Sequence, residues 1–173
     1  MSSQPNDDAC LEAYRRELDY LMRTLRRLGV ASEDLEDVAH DVFLVLRGAW
    51  QDYDPARPFR PYLFGIAFRV AASHRRRHWR EVSYAVVEAQ DEALEPDRVL
   101  EAHQARAIVL AALQRIPLAR RVVLILHDLD EIPMREVAKT LGIPLFTGYS
   151  RLRKARRELE ASVRRTQTRS AAG

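Results

Sequence analysis

Apolar residues recur along this chain at three- and four-residue spacing, the signature of helices with one buried face. Leu11, Tyr14, Leu18, Leu21, Leu25 and Leu28 form one continuous stripe, which predicts a first helix from about Leu11 that Gly29 terminates. Ser32 is placed to cap a second helix, with Glu33 and Asp34 in its first turn, where the helix dipole favours negative charge. Its expected inner face is Leu35, Val38, Val42, Val45 and Leu46. The stretch Asp52-Tyr-Asp-Pro-Ala-Arg-Pro-Phe-Arg-Pro holds three prolines in ten residues and cannot propagate a helix. Pro61 suits the first turn of a third helix, with Leu63, Ile66, Ala67, Val70 and Ala71 facing inward.

Ser83 to Asp97 lacks sustained periodicity and reads as a linker. Helical pattern resumes near Val99, runs through Leu113 and Ile116, and restarts at Pro117 with Val122, Val123, Leu126 and Leu129 inward. No strand alternation or internal repeat is visible. The expected fold is all-α: two small helical domains, residues 8–82 and 99–165, joined by a flexible acidic linker, 83–98, and followed by a disordered tail, 166–173.

Charge sharpens this division. The net charge is +3 over 173 residues. Residues 1–80 are nearly balanced, with thirteen Lys/Arg against twelve Asp/Glu, while residues 81–97 hold six acids and no base. Residues 98–173 hold fifteen bases against seven acids, the footprint of a phosphate-binding surface. The longest apolar runs are too short to span a bilayer, and the N-terminus has neither the basic start nor the apolar centre of an export signal. The single cysteine, Cys10, rules out an internal disulfide and suits a reducing compartment. A soluble cytoplasmic protein is expected.

Catalysis finds no support. The histidines at 40, 74, 78, 103 and 127 form no HExxH or other close ligand set, and no glycine-rich phosphate loop is present. No catalytic residue, metal or cofactor is expected. Three other constellations point to binding. Met134 to Leu141, a turn at Gly142, and an arginine-rich helix from Leu145 follow the order of a helix-turn-helix DNA reader. Trp50, Tyr53, Phe59, Tyr62, Phe64 and Phe68 are six of thirteen aromatics within nineteen positions, and they run into Arg69, Arg75, Arg76, Arg77 and Arg80. Rings beside cations are what capture of unstacked bases requires. Phe64 and Phe68 are expected in the core, and Tyr53 and Tyr62 as exposed stacking rings. Finally, Asp34, Asp37 and Asp41 share one helical face, either a solvated stripe or a docking face for a basic partner.

Together these residues resemble an extracytoplasmic-function (ECF) sigma factor, a two-domain bacterial transcription initiation factor, over about residues 10–163. The resemblance is carried by Asp34-Leu-Glu-Asp-Val-Ala-His-Asp-Val-Phe, by Phe59-Arg-Pro-Tyr-Leu-Phe-Gly-Ile-Ala, and by Pro144-Leu-Phe-Thr-Gly-Tyr-Ser-Arg-Leu-Arg-Lys-Ala-Arg-Arg. It implies a sigma region 2-like bundle, which melts the −10 promoter element and grips core RNA polymerase. It also implies a sigma region 4-like helix-turn-helix for the −35 element. Asp34, Asp37, His40, Asp41 and Phe43 would then face core polymerase. Ala49, Trp50, Tyr53, Tyr62, Arg69, Arg75, Arg76 and Arg77 would serve the −10 strand. Thr147, Tyr149, Ser150, Arg151, Arg153, Lys154 and Arg157 would approach the −35 duplex. The linker acids Glu88, Asp91, Glu92, Glu95 and Asp97 would either imitate a phosphate backbone in polymerase channels or form a plain flexible spacer, and an anti-sigma factor, often membrane-bound in the family, is an implied partner.

The chain departs from the family pattern at Arg69, where Asn is common, at Ser73, where Asp is usual, and at Phe146-Thr-Gly148, where Gly-Thr-Val is common. A glycine inside a recognition helix costs about 1 kcal/mol against alanine. The competing readings of the residues are an autonomous helix-turn-helix regulator with an N-terminal dimerisation or sensor bundle, and a protein-interaction helical bundle whose basic end is incidental.

Overall fold

The apolar stripe expected to make one first helix folds as two. In this computed structural model, which describes residues 5–82 and 98–170, α1 (Pro5–Arg16) and α2 (Leu18–Leu28) break at Glu17, whose φ of −105° and ψ of 13° leave the helical basin. Arg60 Nε reaches the Glu17 carboxylate at 2.8 Å and holds the corner. Gly29, at φ +90°, ends α2: its N–H donates to Arg26 O while Val30 N–H donates to Leu25 O, satisfying carbonyls that the last turn leaves open.

Ser32 caps nothing. It opens a single 3-10 turn, Ser32–Asp34, ahead of α3 (Leu35–Gly48), and no side chain hydrogen-bonds to either start. Leu35, Val38, Val42 and Leu46 are buried as expected, but Val45 is 44% exposed. A second 3-10 turn, Trp50–Asp52, leads through the proline loop into α4 (Phe59–Val82), whose Leu63, Phe64, Ile66, Ala67, Val70 and Ala71 are buried.

The C-terminal helices are α5 (Arg98–Gln114), α6 (Leu118–Leu124), α7 (Met134–Leu141) and α8 (Leu145–Ser170). A π-helical turn, Ile125–Leu129, extends α6, and Leu129 stands 39% exposed rather than inward. The helix α8 continues to Ser170, past the start of the tail expected at residue 166. The acidic segment 83–97 lies outside the described residues.

The two modules do not keep separate cores. Leu21, Leu25 and Leu28 of α2 belong to the same buried cluster as Ile116, Val122 to Leu126, Val137 and Leu152. A polar clamp crosses the boundary. Tyr20 donates its hydroxyl proton to Asp130 Oδ2 at 2.7 Å, and Arg27 Nη1 donates to Asp130 Oδ1 at 3.1 Å. Burial raises the Asp130 carboxyl, against the pull of Tyr20 and Arg27. Glu131, at φ 56°, follows Asp130 directly after the π turn.

Arg121 is 4% exposed. Its Nη1 donates to Leu28 O at 3.1 Å, its Nε to Ile116 O at 3.2 Å, and its Nη2 to Ile116 O at 3.0 Å and to Gln114 O. These carbonyls sit at or just beyond the ends of α2 and α5, where the helix dipole welcomes a cation. Burial first, and then Arg75, draw its pKa down to about 10, so it remains charged at neutral pH. Gly29 is favoured here by its φ, and a Cβ on it would crowd Arg121 Nη1 at 3.0 Å.

The same economy shapes the helix-turn-helix. Gly142, at φ 63°, closes α7, with Gly142 N–H on Lys139 O and Ile143 N–H on Ala138 O. Gly148 is buried in α8, and a Cβ there would stand 2.7 Å from Met134 Sδ. The missing side chain lets α7 pack directly on α8 through buried Met134.

Arg121→Met should lower unfolding free energy by about 2–3 kcal/mol, because buried carbonyls lose their donor; urea denaturation measures this, and an unchanged midpoint would contradict the clamp. Gly148→Val should cost about 1–3 kcal/mol by overpacking. Adding Met134→Ala should recover part of that loss, and purely additive losses in thermal melts would overturn the assigned contact.

Candidate nucleic-acid interface

Three surfaces collect the residues singled out by sequence. On α3, Asp37, His40 and Asp41 share one face by helical spacing, with Asp37 and His40 exposed. Leu44 continues that face one turn on and is 50% exposed. Sequence reasoning missed Leu44, although its spacing of seven from Asp37 places it there. Asp34 lies before α3, with its Oδ2 3.8 Å from His74 Nε2. Phe43 turns the other way: half-buried, its ring lies 4.9 Å from that of Tyr14, whose hydroxyl donates to Ala39 O. An acidic stripe with an apolar residue at its end has the composition of a protein-docking face.

The second surface is the loop between α3 and α4. Trp50 stacks on Tyr53 at 5.2 Å and 28°, and Phe59 meets both rings edge-on at 5.9 and 5.4 Å. Tyr62 lies 5.0 Å from Tyr53. The hydroxyls are used internally, Tyr53 donating to Arg57 O and Tyr62 to Ala49 O; burial raises the pKa of both phenols. The four rings are therefore one packed cluster, and Tyr62 is a support within it rather than the free stacking platform expected. Between this cluster and α1 opens a cleft of about 560 Å³, lined by Glu12, Arg16, Trp50, Gln51, Tyr53 and Phe59 among others. Beyond it, Tyr62, Arg69 and Arg76 fall on one face of α4 at seven-residue spacing, with both arginines exposed, and Arg77 is exposed beside them. Arg75 differs. It is half-buried and close enough to Arg121 to depress its pKa, so it belongs to the module boundary. Phe64 is fully buried and Phe68 half-buried, as expected of core rings.

The third surface is α8. Gly148, Leu152 and Ala155 are buried against the domain, which fixes the outward arc. At 3.6 residues per turn that arc holds Phe146, Tyr149, Ser150, Arg153, Lys154 and Arg157. Tyr149, Arg153, Lys154 and Arg157 are exposed and Ser150 is half-exposed, while Thr147 and Arg151 sit half-buried on the flank. Not every arginine here is available. Arg156 pairs with Asp128 at 2.7 Å and Arg120 with Glu158 at 2.6 Å, both in two-pronged geometry. The Arg156 guanidinium holds the Asp128 carboxyl below its usual range. Phe146 was absent from the expected contacts, yet it occupies the leading position of the arc.

Among the described residues no cluster of His, Cys, Asp or Glu is built to hold a metal ion, and no helix is long and apolar enough to cross a membrane. Cys10 is buried, and burial raises its thiol.

Comparison with known proteins agrees with this layout. The Sigma-70 region 2 family model matches residues 13–81, and the Sigma-70, region 4 model matches residues 106–159. The chain is 29% identical over 153 residues to the RNA polymerase sigma factor NccH of Alcaligenes xylosoxydans xylosoxydans, covering 85% of this chain and 82% of that one. It is 28% identical over 152 residues to the ECF RNA polymerase sigma factor SigE of Mycolicibacterium smegmatis, covering 86% of this chain and 59% of the relative. Among solved structures, CnrH in complex with the cytosolic domain of CnrY superposes with a TM-score of 0.64 at 25% identity, covering 91% of this chain and 88% of that one. A region 2 bundle ahead of the helix-turn-helix disfavours the autonomous regulator. The chain belongs to the ECF sigma factors and is a transcription-initiation sigma factor built from regions 2 and 4.

Proposed function

We propose that this sigma factor is a non-enzymatic cytoplasmic specificity subunit whose three surfaces divide the work of initiation. The α3 face of Asp37, His40, Asp41 and Leu44 docks on core RNA polymerase, with acids setting encounter and register and Leu44 adding apolar contact. The ring cluster at Trp50, Tyr53 and Phe59 and its cleft receive a base that has left the −10 duplex, while Arg69, Arg76 and Arg77 hold the strand's phosphates. The outward arc of α8 enters the major groove of the −35 element, where Arg153, Lys154 and Arg157 meet phosphates and base edges.

The observation that carries this reading is the placement of unpaired cations. Arg153 and Arg157 face outward without an ion pair in the described residues, while Arg120 and Arg156 are each paired with a carboxylate. Extrusion of a base costs a few kcal/mol, and each base stacked on a ring returns about 1–3 kcal/mol, so a packed aromatic cluster beside arginines is matched to the task. An anti-sigma protein is the partner proposed to restrain the chain. CnrH, of similar fold, is solved with the cytosolic domain of CnrY.

Arg69→Ala, which removes an exposed side chain, and Tyr53→Ala should each reduce open-complex yield while leaving core binding intact. Permanganate reactivity of −10 thymines reports this, and wild-type yields from both variants would refute the −10 assignment. Arg153→Ala should weaken holoenzyme binding to promoter duplex by about 1–3 kcal/mol; unchanged affinity in a mobility-shift titration would remove α8 from the groove.

A further inference from the structure

Phe146 is 82% exposed, and Tyr149, one turn later, is 51% exposed. Rings this open contribute little to the core. They share an arc with Arg153 and Arg157, and that arc cannot roll inward, because Gly148 is pressed against Met134 and Leu152 and Ala155 are buried on the opposite side. Ahead of Glu158, the arc carries Arg153, Lys154 and Arg157 and no carboxylate. Its charge therefore suits a polyanion and opposes a basic protein partner.

In a duplex major groove the base edges are polar donors and acceptors, with one apolar exception, the C5 methyl group of thymine. A phenyl ring has no hydrogen bond to offer those edges and can gain only from that methyl. We infer that Phe146, supported by Tyr149, determines promoter specificity by packing on thymine methyl groups in the −35 duplex, with the neighbouring arginines and lysine holding the phosphates. The inference rests on the proposed role of α8 and adds the base class that it prefers.

The experiment uses the full chain with core RNA polymerase and a duplex selected by that holoenzyme from a randomised −35 library. Each thymine of the selected element is replaced in turn by deoxyuridine, which deletes the methyl and keeps every hydrogen-bonding group. At one or two positions wild-type affinity should fall about fourfold, the worth of one buried methyl-sized group. Phe146→Ala, exposed and therefore without consequence for folding, should bind the thymine duplex more weakly and no longer distinguish it from the deoxyuridine duplex at the position that Phe146 covers. Equal binding of thymine and deoxyuridine duplexes by the wild type, or an undiminished difference in Phe146→Ala, would overturn the inference. Specific binding that ignores methyl groups would sink this inference alone, whereas selection of no common duplex would sink the −35 role of α8 with it.

Discussion

The buried guanidinium of Arg121 is the constraint on which the rest of the arrangement depends. A charge taken out of water is tolerated only when its hydrogen-bonding groups are met. Here they are met by carbonyls at the ends of two helices from different modules, Leu28 closing α2, Gln114 closing α5 and Ile116 just beyond it. Those ends must converge on one point, and the left-handed turn at Gly29 lies close against the guanidinium there. Once α2 and α6 are fixed in this way, Tyr20 and Arg27 find Asp130, and the apolar faces of both modules close into one core.

The arginines thereby fall into distinct roles set by surroundings rather than by residue type. Arg121 is structural, Arg75 lies beside it at the boundary, and Arg120 and Arg156 brace α8 through carboxylates. Arg153 and Arg157 remain outward, as do Arg69, Arg76 and Arg77 on α4. A count of basic residues locates the cationic module but overstates how many of its charges face a ligand.

Much of the architecture was legible in periodicity and punctuation. The stripes of α3 and α4, the glycine stops at Gly29 and Gly142, the proline loop and the helix-turn-helix all follow from local rules that act within a few residues. The misreadings share a cause in distant partners. The break at Glu17 is held by Arg60, and the exposure of Val45 and Leu129 depends on which helices arrive beside them. At the site, the arginine arc of α8 was visible by spacing. Phe146 was not: in sequence it stands out only as a departure from the family pattern, and its exposure depends on how α8 packs. Nor was the reason for Gly148, which lies in the Sδ of Met134, fourteen residues away. The stacking rings were half legible: their clustering shows in sequence, but the hydroxyl bonds that tie Tyr62 to Ala49 do not.

Because the Arg121 clamp is dry, dissolved ions scarcely reach it, whereas the outward arginines sit within the Debye atmosphere and surrender their attraction as electrolyte rises. Brine that strips the protein from nucleic acid would consequently leave its two halves fastened together.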